Sequence, residues 1–416
     1  LYLTVCQQLK HLSKEEFLIL RELCHTAKNL TNQAIFNVRQ HYFEHGKFLS
    51  YEKNYALLKT SENYKILNSN MAQQILKEVD GSFKSFFSLL KLAKQGNYAF
   101  QSCKLPHYLP KDGYATLVIG FVRLHRNQLI LPYSNAYKKA HKPICITIPP
   151  ILTDKTIKEI RIIPRSDARF FEIQYTYQAE MIQRNLNPNH ALAIDFGINN
   201  LMTAVSNRGE SFIVDGRRLK SLNQWFNKRY ACLQCIKDKQ HFGRNTTKQQ
   251  AALQKKRNNQ IRDYMSKAAQ KVIQYCIRKE IGTLIVGYNT MFQGSSNLGR
   301  QMNQVFVNIP FGMLRRKLKY LCELNGIRYV EQEESYTSKA SFWDQDKMPV
   351  YGAPGSECPV FSGQRIYRGV YKNHAGKKYH ADINGALNIM RKSNIVSLDA
   401  LYARGDVDTP VRIRIA

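Results

Sequence analysis

Apolar residues recur at helical spacing over 70–92: Met71, Ile75, Val79, Phe83, Phe86, Phe87 and Leu90. One helix face carries them all, and its simplest role is a bundle core. Ser13 and Glu16 precede Phe17, Leu18, Leu20 and Leu23, a capping-box pattern that predicts another helix start. Residues 13–95 therefore read mostly as helix.

The period changes over 114–180. Short β-branched or aromatic runs at 117–119, 144–148, 160–163 and 170–177 lie between Pro, Asn and Asp breaks, which predicts a small β-barrel or sheet. Residues 182–190 read as a linker. A strand follows at 190–195, and 201–205 and 211–214 complete a meander. Two long basic helices come next, about 217–241 and 246–280, then a buried strand at 283–286, a helix over 308–325 and a strand over 327–332. Residues 336–379, rich in Gly, Pro and Tyr, interrupt the pattern before a helix at 382–391, and the tail from 394 reads as mobile. Three antiparallel strands followed by helix-linked strands is the order of an RNase H-like α/β layer fold. The fold class is thus multidomain α+β.

Composition adds one abnormal number. The 416 residues hold 62 Lys plus Arg against 31 Asp plus Glu, a formal net charge of +31. Only 22% of residues are charged, so the excess reflects missing acids. Such a surface repels itself until a polyanion neutralises it, which points to nucleic acid. No apolar run reaches the roughly 18 residues that span a bilayer, and 1–10 lacks a secretory pattern. Nine cysteines, an odd number at irregular spacing, read as reduced thiols. The expected location is cytoplasmic and nucleoid-associated, with no membrane partner.

Two acids stand at structural punctuation. Asp195 ends the apolar strand Ala191-Leu-Ala-Ile-Asp195, with Gly197 allowing a tight exit. Asp382 opens a helix in Tyr379-His-Ala-Asp382-Ile-Asn384-Gly-Ala-Leu-Asn388. Alone, each reads equally as a turn or capping residue. A kinase reading of Asp195-Phe-Gly fails because no Gly-rich phosphate loop or His-Arg-Asp accompanies it.

The strand order, the Ala-Asp-Ile-Asn-Gly-Ala-Leu-Asn-Ile ending and Tyr336-Thr-Ser-Lys339 together resemble TnpB, the transposon-encoded RNA-guided DNA endonuclease related to type V CRISPR effectors. The resemblance implies a first wedge strand at 1–12, a helical recognition domain at 13–110, a β-barrel wedge domain at 111–182 and a RuvC nuclease domain at 188–335. It further implies an insert at 336–379 that binds target nucleic acid, a last RuvC segment at 380–393 and a tail at 394–416. It also implies two Mg2+ ions held by three acids, because phosphodiester hydrolysis needs an activated water and a stabilised leaving oxygen.

The family's middle acid is a Glu where this chain has Gly287. Either the nuclease is inactive, or another acid replaces it. Glu333 and Glu334 end the next strand, and alternation beside the Ser335-Tyr336 turn favours Glu334. Asp195, Glu334 and Asp382 are therefore the expected catalytic and Mg2+-binding residues, with Asp344 and Asp346 weaker candidates. The family's zinc cysteines are missing: Cys358 is alone in the insert, so no zinc site is expected there. Cys232-Leu-Gln-Cys235 is a lone pair within a helix and reads as coincidence.

Residues 217–280 hold 17 bases against three acids. That imbalance points to a helix pair along a nucleic-acid backbone. The resemblance places Arg217, Arg218, Lys228, Arg229, Lys255, Lys256 and Arg257 beside a guide–target heteroduplex, and Arg161, Arg165 and Arg169 on guide RNA. Tyr51, Tyr55, Ser69, Asn70 and Gln73 match the surface that reads a short DNA motif flanking the target. The expected partners are guide RNA and double-stranded target DNA, bound by one copy of the chain. A nuclease-inactive RNA-guided repressor is the alternative, and an accessory RNA-binding protein is the third reading.

Overall fold

The structure is a computed structural model that describes every residue except 242, 244–245, 290–308, 352–358 and 416. Cys358 lies outside the described residues. The chain divides into two compact units, Leu1–Ala179 and Glu180–Ala416.

The first unit begins with β1 (Tyr2–Gln8), followed by helices α1 (Lys14–His45), α2 (Tyr51–Leu58), α3 (Glu62–Ile66) and α4 (Ser69–Lys94). Ser13 caps α1 through the reciprocal box with Glu16, so two otherwise orphaned amides are satisfied. Met71, Ile75, Val79 and Phe83 of α4 are buried, as helical spacing requires. Strands β2 (Leu117–Ile119), β3 (Leu124–His125) and β4 (Gln128–Ile130), a short helix α5 (Asn135–Ala140), then β5 (Cys145–Thr147), β6 (Ile157–Arg165) and β7 (Phe170–Gln178) complete the unit.

The expected β-barrel is not formed. Among the described residues, β1, β7, β6 and β2 make one open four-stranded antiparallel sheet, and β3, β4 and β5 make a separate three-stranded sheet. The edge strands β1 and β2 do not pair with each other. Strands of two or three residues offer too few ladder bonds to join the two sheets into a closed ring.

The second unit is built on a six-stranded sheet. Its meander is β8 (Asn187–Phe196), β9 (Asn200–Ser206) and β10 (Ser211–Asp215). Helices α6 (Arg217–Lys239) and α7 (Lys248–Arg278) lead to β11 (Ile281–Tyr288), which pairs parallel to β8. Helix α8 (Phe311–Leu324) leads to β12 (Arg328–Glu333), parallel to β11. A three-stranded antiparallel sheet follows, β13 (Gln364–Tyr367), β14 (Val370–Lys372) and β15 (Lys378–His380). Helix α9 (Ala381–Ser393), helix α10 (Asp399–Arg404) and strand β16 (Val411–Ile413) end the unit.

Strand alternation sorts two cores. Leu192 and Ile194 of β8 with Leu284 and Val286 of β11 face α7 and α8. Ala191, Ala193 and Ile285 face α9. The tail is not loose, contrary to the sequence reading: β16 pairs parallel with β10, and Leu401 of α10 is fully buried with the α9 core. Its apolar residues are too sparse to show periodicity in sequence, yet they cover apolar surface that would otherwise meet water.

The insert holds together through aromatics. Trp343 stacks on Tyr379 at 5.4 Å, and buried Tyr371 donates its hydroxyl to the Lys339 carbonyl at 2.8 Å. Asp346 accepts from Ser341 and Ser362, and Asp344 accepts from Ser362 and His374 while its amide donates to Ser341, so they brace the insert rather than face the cavity described next.

Candidate active site

Three parallel strand ends present one row of positions toward α9. Asp195 follows Ala191 and Ala193 on that face of β8, and Gly287 follows Ile285 on β11. Glu334 comes just after β12, its amide hydrogen-bonded to the Tyr288 carbonyl at 3.2 Å. Gly287 has no side chain, and Glu334 fills the space. A Cβ placed on Gly287 would lie 2.7 Å from Glu334 Oε2 and 2.7 Å from Ile389 Cδ1. The third acid, Asp382, sits in the first turn of α9. One turn on, a Cβ on Gly385 would lie 3.0 Å from Asp195 Oδ2, so glycine there lets the helix approach the strand end.

These acids line one cavity of about 1360 Å3, together with Asn200, Arg217, Tyr288, Arg365, Arg368 and Arg412. Burial, with Glu334 and Asp382 repelling, drives Asp195 well above the ordinary carboxylate range against the pull of Arg365. Burial and Glu333 push Glu334 up to about 7, against Arg315. Glu333 behaves oppositely. Burial resists its ionisation, but Lys392 at 2.6 Å and Ser335 hold it below the usual range. Glu333 is therefore a structural ion pair, and Glu334 is the acid that faces Asp195.

Helix α9 fixes the segment after Glu334. Asn384 accepts from the Phe342 amide and donates to the Ala340 carbonyl, and Asn388 donates to the Thr337 and Ala340 carbonyls. Tyr336 takes φ +65 in the intervening turn, a strained conformation for a bulky residue.

A polar chain runs through the cavity wall. Asp382 accepts from Arg365 at 2.7 Å on one oxygen and from Asn200 at 2.7 Å on the other. Asn200 accepts from Arg412 of β16 at 2.9 Å, and Arg412 lies 3.4 Å from Asp215. Sequence reasoning missed Asn200, Arg365 and Arg412. Arg412 had no legible signal, because only the tail strand's pairing brings it 212 residues back to Asn200.

The remaining expected contacts divide. Lys228, Arg229 and Lys256 are exposed on α6 and α7. Arg257 instead spends its guanidinium on Asn223 at 2.8 and 3.0 Å, bridging the helices, and Arg218 donates to the Ile415 carbonyl. Arg217 lies 3.6 Å from Asp215, and Lys255 is partly buried. Arg161 pairs with Glu159 and Glu78, and Arg165 with Glu172; Arg169 also has a partner. Tyr51 stacks on Tyr55 at 6.2 Å, with Lys77 over the Tyr51 ring. Ser69 is exposed and Gln73 partly buried, while Asn70 accepts from the Gly120 and Phe121 amides, which commits its carbonyl to the fold.

The donors suit a hard divalent cation: three carboxylates, two with ionisation suppressed by burial, and no sulfur or imidazole in the set. One feature resists it. Among the described residues, no three His, Cys, Asp or Glu side chains are gathered tightly enough to hold an ion. Asp382, turned to Arg365 and Asn200, has to move to join the other two.

Comparison with known proteins agrees with this architecture. The family model OrfB_IS605, described as "Probable transposase", matches residues 173–293, and the Cas12f1-like TNB domain matches 311–389. The TnpB-like protein ORF457 of Acidianus two-tailed virus is 24% identical over 90% of this chain and 83% of its own length. Cas12f1, solved with sgRNA and target DNA, aligns at TM-score 0.55 and 14% identity over 91% of this chain and 83% of that one. The mini-RNA-guided endonuclease CRISPR-Cas_phi3 aligns at TM-score 0.50 and 12% identity over 94% and 92%. The fold is thus a multidomain α+β arrangement of the Cas12-like class. Within that class, the chain is similar to the TnpB family, whose models and viral relative it matches.

Proposed function

We propose that the chain is an RNA-guided DNA endonuclease whose RuvC-type centre comprises Asp195, Glu334 and Asp382. One observation carries the reading: the Glu334 carboxylate lies where a side chain on Gly287 would begin. A surface acid has no reason to lean into that space and accept the cost of burial beside Asp195. When bound, Mg2+ ions would activate a water and stabilise the leaving oxygen. The chain's own residues prepare the centre. Asp195 and Glu334 approach from strand ends, α9 delivers Asp382, and Asn384 and Asn388 anchor the Glu334 turn. Arg365 and Arg368 supply positive charge to a phosphate entering the cavity. Lys228, Arg229 and Lys256 follow the backbone of the guide–target duplex, while pairing supplies sequence. Tyr51, Tyr55, Ser69 and Gln73 face the flanking DNA motif.

The test is cleavage of matched DNA by the RNA-loaded protein with Mg2+. Asp195→Ala and Glu334→Ala abolish it, and Glu333→Ala retains measurable activity. Cleavage surviving Glu334→Ala overturns the assignment.

A second reading has its own support: Arg365 and Asn200 hold both oxygens of Asp382, away from a common ion position. On that reading the protein binds RNA-matched DNA without cutting. Metal-independent binding with no cleavage by the wild type would select it.

A further inference from the structure

The first unit carries a polar cavity that shares no lining residue with the candidate active site. Its volume is about 600 Å3, and Asn29, Asn32, Gln33, Phe36, Asn37, Leu58, Asn63 and Tyr108 line it. Five of these residues lie at 29, 32, 33, 36 and 37, one face of α1. Two amides build the walls. Asn32 donates to the Leu109 carbonyl at 2.9 Å and accepts from its amide at 2.8 Å, and Asn37 donates to Asn54 at 3.1 Å. Gln33 does not: its Oε1 is buried and accepts no hydrogen bond. That carbonyl is closed to solvent, so an occupant engages it once the Gln33 side chain turns toward the cavity it lines.

The rims are aromatic. Phe36 is 51% exposed and Tyr108 44% exposed, so both rings are open to an occupant. The Arg39 guanidinium lies 4.8 Å from the Tyr108 ring centroid. No acid or base lines the cavity, and Arg39 stands outside it against the Tyr108 ring.

We propose that this cavity binds a single unstacked nucleobase. A base is neutral and planar, its edge offers donors and acceptors to side-chain amides, and its faces stack on Phe36 or Tyr108. Its phosphates stay outside, in the field of the +31 chain. The site rests on the nucleic-acid reading of the chain but not on cleavage, which its test does not use.

The experiment measures binding of 12-nucleotide single strands to the RNA-free full chain by fluorescence anisotropy across a salt series. Normal DNA and RNA oligomers are compared with abasic oligomers of equal charge. One stacked base is worth about 1–3 kcal/mol, so the expected gain over abasic strands is roughly 5- to 150-fold. Gln33→Leu and Tyr108→Ala remove most of that gain and leave the salt slope unchanged, because the slope counts phosphates. The DNA and RNA series show which strand supplies the base. A second measurement guards against misfolding: oligomers carrying 5-iodouracil, irradiated on the wild type, should crosslink to Tyr108 or Phe36. Equal binding of normal and abasic strands, variants that keep the full gain, or crosslinks confined to other residues would each overturn the proposal.

Discussion

Gly287→Ala is the most informative single change in this chain. The new methyl would begin 2.7 Å from both Glu334 Oε2 and Ile389 Cδ1, well inside van der Waals contact. Ile389 is fully buried, so its terminal carbon has little room to retreat. Overpacking of this kind costs about 1–3 kcal/mol, and replacing a strand glycine returns about 0.4–1 kcal/mol through the unfolded chain. The net loss reaches up to about 2.6 kcal/mol, or up to roughly 10 °C in Tm for a domain of this size. Glu334 must swing away as well, so cleavage should fall at least as far as stability. Thermal denaturation monitors the first effect and a plasmid-cleavage time course the second. A companion isolates the carboxylate: Gly287→Glu alone is inactive, whereas Gly287→Glu with Glu334→Ala vacates the space and recovers part of the activity. If Gly287→Ala matches the wild type in Tm and in cleavage, Glu334 does not occupy that space, and the relocated-acid argument fails.

Other consequences can be checked separately. Glu334 titrates near 7 in the metal-free fold against an ordinary value of 4.5. The folded state therefore binds an extra proton between those values, and Glu334's contribution to stability falls as pH rises from about 4.5 to 7 and stays lost above. The Tm difference between wild type and Glu334→Gln should follow that course without metal; a difference independent of pH would contradict it. Arg412→Ala frees Asn200 and loosens Asp382, so it should raise the Mg2+ concentration needed for half-maximal cleavage several-fold, with Arg412→Lys in between; an unchanged requirement would remove the tail from the site. Asn388→Ala strips hydrogen bonds from the Thr337 and Ala340 carbonyls. It should lower stability by about 1–3 kcal/mol, read as a lower urea midpoint; an unchanged midpoint would refute the anchoring role.

The sequence determined what depends on local pattern. Helical spacing gave the buried stripe of α4, the Ser13–Glu16 box gave the start of α1, and β-branched runs gave the meander and the two parallel strands after it. Asp195 and Asp382 were legible because an acid at an apolar strand end or helix start is conspicuous in a chain so short of acids. Alternation even placed Glu334 on the Asp195 side, since side chains on a strand must take turns. Tertiary structure decided whatever depends on long-range pairing. Strand closure turns on which edges meet, and β1 and β2 stay apart as the edges of an open sheet. Asp382 and Glu334 line one cavity only because α9 packs over three strand ends and its asparagines hold the segment between them. Arg412 reaches the cavity through one pairing at the far end of the chain. Charge count announced a polyanion, but only the fold showed which bases are spent: Arg161, Arg165 and Arg257 hold the protein together, while Lys228, Arg229 and Lys256 remain exposed to solvent.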